Sequence, residues 1–327
     1  MRHKLLMQRF SGILFIIISA ISFGAMPVFA RIAYEAKADP LTVLFLRFGI
    51  AAVVMFAILL ASKTAVPRGR LLLELILLGA IAYVGESLAY FTALTMASPG
   101  LVALLLYIYP ALVTMLSALF LKEHLTTMKI VALFLALSGT ALTIQVTSGG
   151  SFVGILLGIA AAVDYAIYIV LGSRIVKRSG SVGSTTIIIA STAGVYAIIA
   201  PMHGLSFPVS VQGWAAILAI ALVSTVLAFM TFFAGLTRIG PTTASTLSTF
   251  EPIVAVALAT IVLGETITPV QALGGVFILV AVVILSRNEL RREKRAREQV
   301  VVEGSGGVGN ESVEERDERF VVAIPDS

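Results

Sequence analysis

Cysteine is absent from the 327 residues. That excludes disulfides, thiolate metal sites and a cysteine nucleophile. Histidine occurs three times, as His3, His124 and His203, on a terminus and two loops. No His/Asp/Glu cluster with metal-ligand spacing forms, so neither a metal nor another cofactor is expected. Charged residues are scarce, at 13%, against about 25% in soluble domains. No G-x-x-x-x-G-K-[ST] run occurs, so no phosphate-binding loop for ATP is present. Apolar residues make up 58% of the chain, and the mean hydropathy is +1.02. This composition belongs to multi-pass membrane proteins.

A helix needs roughly 20 apolar residues to cross about 30 Å of hydrocarbon. Ten segments qualify: 11–31, 40–61, 71–95, 100–121, 128–145, 152–173, 182–201, 214–237, 241–263 and 269–286. The first is too long for a cleaved signal and is followed by nine more. With the N-terminus inside, 20 of the 23 basic residues fall in inner loops and tails. Arg31 and Lys37 fall outside, and Arg47 lies within a span. This bias predicts N-in, C-in topology, with the plasma (inner) membrane as the location. The dispersed basic charge argues against a nucleic-acid surface. Residues 1–10 read as a cytoplasmic N-terminus and 287–327 as a charged, partly disordered cytoplasmic tail. Arg287–Glu298 has helical character; Gly304–Ser327 is Gly- and Glu-rich.

The chain also matches itself at an offset of 142 residues, which sets Pro110 on Pro252. Without a gap, Leu94-Thr95 meets Leu236-Thr237, Pro99 meets Pro241, Glu123 meets Glu265 and Thr126 meets Thr268. Each repeat, 11–145 and 152–286, holds five spans. An odd number inserts the second copy upside down, which is the inverted-repeat plan of secondary transporters. The expected fold is all-α, with ten transmembrane helices as two inverted five-helix repeats.

Tyr107-Ile-Tyr-Pro-Ala-Leu-Val-Thr-Met-Leu-Ser-Ala-Leu-Phe-Leu-Lys-Glu123 resembles the signature of the EamA family in the drug/metabolite transporter superfamily. So does Phe250-Glu-Pro-Ile-Val-Ala-Val-Ala-Leu-Ala-Thr-Ile-Val-Leu-Gly-Glu265. Arg47 in Leu44-Phe-Leu-Arg-Phe resembles that family's second span. The resemblance covers 11–286. It implies a ten-helix bundle that exports or takes up small metabolites, amino acids and drugs, with no covalent chemistry and no catalytic residue.

Pro110 and Pro252 sit inside spans 4 and 9. Each should kink its helix. Interruptions at matching positions of two halves point to a substrate site, with a packing kink as the plainer reading. Asp164 and Glu251 each lie twelve residues from the outer end of a span, about 18 Å deep. Their repeat mates are Ser22 and Tyr109, so this acidity belongs to the second half. Asp164 could carry a proton, pair with a substrate ammonium, or tie helices together. Glu251 is the weaker candidate, because an acid before this proline is common in the family. Arg47 and Glu86 lie about 10–14 Å below the outer surface. A salt bridge between them, a substrate carboxylate on Arg47, or outward snorkelling of Arg47 are the readings. Glu74 is expected at the interface, and Glu123 and Glu265 are expected to cap the following helices.

Phe23, Tyr90, Tyr107, Tyr109 and Tyr165 could line a midplane cavity suited to flat or apolar ligands, or could simply pack. Thr246, Ser248 and Thr249 could face that cavity or bond back to their own helix. Gly154, Gly158, Ala161 and Ala162 read as close packing in span 6. The residues together point to a secondary active transporter working by alternating access. Its partners would be a small-molecule substrate and the lipid bilayer. Coupling to a proton or ion, and a homodimer, stay open. A membrane-embedded enzyme would want carboxylates or histidines clustered at one interface, and a channel a polar stripe along one span. Neither pattern is present.

Overall fold

The computed structural model describes residues 2–94, 96–97, 99–144, 150–264 and 266–306. Among them the chain is helical, with one isolated bridge between Ala97 and Gly150. Helices α1 (Arg2–Gly24) and α2 (Met26–Glu35) make span 1, and α3 (Pro40–Ala61) makes span 2. Span 3 is α4 (Arg70–Leu77), a π turn (Leu78–Tyr83) and α5 (Val84–Leu94). Span 4 is α6 (Pro99–Leu106) and α7 (Tyr109–Leu121); span 5 is α8 (Thr127–Thr143). The second half follows with α9 (Phe152–Ser179) and α10 (Ser181–His203). Span 8 is α11 (Val211–Ala221), a second π turn (Leu222–Leu227) and α12 (Ala228–Ile239). Span 9 is α13 (Pro241–Ser248) and α14 (Glu251–Leu263), and span 10 opens α15 (Pro269–Gly306).

Nine of these runs, among the described residues, are long and apolar enough to cross a membrane. The fifth, α8, has only 17 residues, about 26 Å at 1.5 Å per residue. The charged run after Ser286 continues α15 as far as Gly306. The remainder of the Gly- and Glu-rich tail, with Ser98 and Glu265, lies outside the described residues.

Corresponding spans pack on each other: α3 on α10, α8 on α15, α7 on α13. Crossed pairs match as well, since α1 packs on α12 and α5 on α9. Close approach needs small residues. A Cβ on Gly139 would fall 2.6 Å from the Gly274 carbonyl oxygen, so α8 and α15 touch backbone to backbone. In α9, a Cβ on Gly158 would meet Leu105 at 2.9 Å, and Gly154 is equally tight against Met96. The small stripe of span 6 is thus a packing face.

The expected proline kinks are complete breaks. Pro110 and Pro252 each occupy the first turn of a new helix, where a missing N–H costs nothing. The backbone bonds across the two breaks correspond. Ile108 N–H donates to the Leu105 carbonyl at 3.2 Å, and Phe250 N–H to that of Leu247 at 3.1 Å. Span 1 breaks too, at Ala25 before Pro27, and its repeat mate α9 does not. That break went unforeseen, although the proline is plain in the sequence.

Candidate functional site

The broken spans meet around one cavity of about 370 Å³. Spans 1, 3, 4 and 9 supply Phe23, Pro27, Glu86, Tyr90, Tyr107, Glu251 and Pro252 to its wall; span 2 supplies Arg47, and the start of α15 supplies Gln271. Its wall residues lie in the halves of these helices remote from Arg9, Lys122, Arg174 and Arg238. The cavity therefore faces away from the basic end of the bundle. Towards that end α13 is buried along all eight residues.

The glutamate before the second proline is held at the helix break. Span 1 has glycine opposite it: a Cβ on Gly24 would lie 2.7 Å from the Glu251 carbonyl oxygen. The Glu251 carboxylate accepts a hydrogen bond from Tyr107 Oη at 3.2 Å. Tyr107 begins a run of rings along one wall. Tyr109 is 4.7 Å from Tyr165 and Tyr165 is stacked 5.9 Å from Tyr168. Tyr168 is 5.3 Å from Tyr83, Tyr83 is 5.1 Å from Phe229, and Phe229 is 5.5 Å from Phe23. Tyr107, Tyr83 and Phe23 reach the cavity. Tyr109, Tyr165 and Tyr168 form the layer behind it, where Tyr109 is 2% exposed.

Arg47 is buried, and its donors are fixed by the two π turns. Nε donates to Thr225 Oγ1 at 2.7 Å and Nη2 to Tyr83 Oη at 3.5 Å. Thr225 Oγ1 in turn donates to the Ile220 carbonyl at 2.9 Å. The expected Arg47–Glu86 salt bridge is absent among the described residues. Glu86 lines the same cavity and feels the Arg47 charge without touching it. The guanidinium has five N–H groups, and only two of its nitrogens are engaged. A mostly apolar cavity therefore holds one cation and two carboxylates, none directly paired with opposite charge among the described residues. Buried charges left so are costly, and a ligand of complementary charge would relieve that cost.

Other expected residues lie elsewhere. Asp164 is not on the cavity wall. It faces span 3, where a Cβ on Gly85 would fall 2.7 Å from its Oδ2, and its carboxyl lies against the backbone of Glu86. Counting along a helix gives a depth, but depth does not fix the face. Thr249 donates to the Thr246 carbonyl at 2.6 Å and Thr246 to that of Thr242 at 2.9 Å, so both bond back to their own helix. Pro110 is buried and does not line the cavity. Glu123 does not cap α8; Thr126 does, accepting the Lys129 N–H at 3.4 Å. Glu123 instead pairs with Lys129 Nζ at 2.6 Å and accepts from Thr242 Oγ1 at 2.9 Å, tying spans 4, 5 and 9 at the basic end. Glu74 bridges Arg70 at 3.0 Å and Arg178 at 2.9 Å.

Gln271 was missed. Its side chain accepts the Thr268 N–H at 2.9 Å while Thr268 Oγ1 accepts the Gln271 N–H at 3.3 Å. This reciprocal pair is a capping box, and Thr-x-x-Gln before an apolar run was its visible signal. The π turns left no comparable signal.

The EamA-like transporter family model matches residues 10–145 and again 152–287. The uncharacterized transporter YyaM of Bacillus subtilis (strain 168) is 28% identical over 258 residues, covering 73% of this chain and 82% of that protein. The threonine/homoserine exporter RhtA of Escherichia coli (strain K12) is 33% identical over 150 residues, 44% of this chain and 48% of that one. A solved crystal structure superposes with a TM-score of 0.77 at 22% identity, covering 87% of this chain and 99% of its own, a likeness of fold alone.

Proposed function

Because the chain belongs to the EamA-like transporter family, we propose that it is a secondary active transporter of small zwitterionic metabolites, amino acids first. The cavity carries this reading, because it holds Arg47 and the carboxylates Glu86 and Glu251 on one wall system between broken helices. Arg47 would take the substrate carboxylate, for which its planar fork is suited. Glu251, held by Tyr107, would take the ammonium group, with Glu86 as the second acid. The rings beside them would receive an apolar side chain. The threonine/homoserine exporter among the relatives agrees with this substrate class.

Transport would proceed by alternating access in the plasma (inner) membrane, with ten crossings and both termini cytoplasmic. The described state would be open outward. The Glu123–Lys129–Thr242 link would close the basic, cytoplasmic end, and its rupture would accompany inward opening. The transport mechanism needs no catalytic residue.

Purified protein in proteoliposomes tests the reading, using counterflow of labelled threonine against amino acids, amines and carboxylates. Saturable exchange confined to zwitterions is expected. Exchange of simple amines or acids with equal efficiency would sink the two-charge site. Orientation is tested separately with Val209→Cys and Val66→Cys in this cysteine-free chain. Impermeant reagent should label only the former in intact cells.

A further inference from the structure

A second cavity, of about 550 Å³, lies at the basic end, remote from the first. Five cationic side chains line it, Arg9, Lys129, Arg174, Lys177 and Arg238, against one carboxylate, Glu123. Glu123 is committed to Lys129 at 2.6 Å. Among the described residues, no carboxylate pairs with Arg174, Lys177 or Arg238. Arg174 donates to the Phe120 carbonyl. Arg238 donates to the Ala234 carbonyl and lies 4.7 Å over the Phe15 ring. These contacts aim the guanidinium groups without neutralising them.

Arg174 also borders an apolar groove of about 400 Å³ between α7 and α9, walled by Leu116, Phe120, Ile167, Val170 and Leu171. Phe120 is 63% exposed and Leu171 47%, so the groove opens on the outer face of the bundle. A cationic chamber and an apolar groove thus meet at one arginine. A soluble anion would have no use for the groove, and a neutral lipid none for the unneutralised cations. Basic recesses between membrane helices suit phosphate headgroups.

We propose that this end of the bundle binds one anionic phospholipid, its headgroup phosphate among Arg174, Lys177 and Arg238 and an acyl chain along the groove between α7 and α9. The site is separate from the substrate cavity but shares Glu123 and Lys129 with the link at the basic end. Its occupant would brace α7 against α9 near the Glu123–Lys129–Thr242 link.

Native mass spectrometry of the full-length protein in mild detergent tests this, with added phosphatidylglycerol or phosphatidylcholine of identical chains. Phosphatidylglycerol should be retained in preference. Arg174→Gln, Lys177→Gln and Arg238→Gln should each weaken its binding about 5-fold, at ~1 kcal/mol per cation, and leave phosphatidylcholine unaffected. Leu171→Trp, which fills the groove, should weaken phosphatidylglycerol without touching a charge. Equal retention of the two lipids by the wild-type protein overturns the proposal, whether or not a charge variant folds. So does full displacement by millimolar inorganic phosphate combined with an unaffected Leu171→Trp, which would mark a simple anion pocket. Burial of Phe120 and Leu171 in a homodimer, detected as a crosslink between copies through those positions, also overturns it.

Discussion

The helix breaks of spans 4 and 9 share a backbone and differ in chemistry. Both end one helix after a tight turn, and both start the next with a residue followed by proline. At the residue before proline, span 4 has Tyr109, sealed in an aromatic layer. Span 9 has Glu251, which faces the cavity and accepts a bond from span 4's own Tyr107. The duplicated prolines preserve the break, while the residues beside them differ. One break supplies the wall and the other the charge.

Replacing the specialised residues should break that comparison most severely. Glu251→Gln should weaken binding of a zwitterionic substrate by about 30-fold or more, as expected when one partner of a desolvated charge pair is neutralised. Its mate substitution, Tyr109→Phe, keeps the ring and should leave affinity within about 2-fold. Titration calorimetry on both variants decides whether the charge resides on one break alone.

The shared part comes next. Pro110→Ala and Pro252→Ala would each allow a continuous helix, restoring a bond that proline forbids. Each should slow exchange about 10-fold, worth ~1.4 kcal/mol, at unchanged protein level in the membrane. Unequal losses would show that one hinge moves and the other only packs.

Asp164→Asn sharpens the limits of the second half's acidity. The residue lies against the span 3 backbone beside Gly85. The amide should cost ~1 kcal/mol of stability, a fall in Tm of about 3 °C, with exchange and proton-driven uptake unchanged. Loss of proton-driven uptake with exchange intact would return Asp164 to the transport pathway.

The smallest effect concerns the loops. The 204–210 connection is stitched over the start of α3, where Ser206 N–H donates to Asp39 Oδ2 at 2.9 Å. Burial of Asp39 opposes its ionisation. The Thr42 hydroxyl and the backbone N–H groups of Thr42, Ser206 and Leu41 outweigh it and hold the carboxyl below its usual 3.8. Because the folded value is depressed, the stabilisation is full above the unfolded value and is lost as pH falls through the folded one. Asp39→Ala should therefore cost about 0.5 kcal/mol near neutrality. The gap to wild type should close below about pH 3.8, and denaturant titrations across pH would show it. The repeat mate Ser181 has no carboxylate, so alanine there should show no such pH dependence.

Much of this was legible in the chain. The 142-residue repeat located both breaks, because proline acts locally and leaves a mark in the sequence. Glu251, Arg47, Phe23, Tyr90 and Tyr107, which line the cavity, were legible because charge and aromatic rings at mid-span are conspicuous. That Asp164 lies off this wall was not, since counting residues gives depth and not the facing neighbour. Arg47 was given the wrong partner because Tyr83 and Thr225 reach it through π turns, which carry no residue signature. Gly85 opposite Asp164 and Gly24 opposite Glu251 are contact partners far apart in sequence, and only the packed bundle brings them together.

The π turns have a consequence for how such a chain can vary. A π turn holds one residue more than the α-helix it interrupts. Deleting one residue between Leu78 and Tyr83 would let span 3 heal into an unbroken α-helix, without shortening its loops. The π turn takes up the extra residue, so α4 and α5 would keep their faces, and Glu86 and Tyr90 their place on the cavity wall. Only the turn itself would change, and with it Tyr83, which holds Arg47. In an ordinary span a one-residue deletion instead turns the rest of the helix by about 100°. Here the change is confined to the neighbours of the buried arginine, and the same step is available in span 8 through Thr225. Descendants of this sequence could re-aim that arginine through a change in length, with no substitution at it.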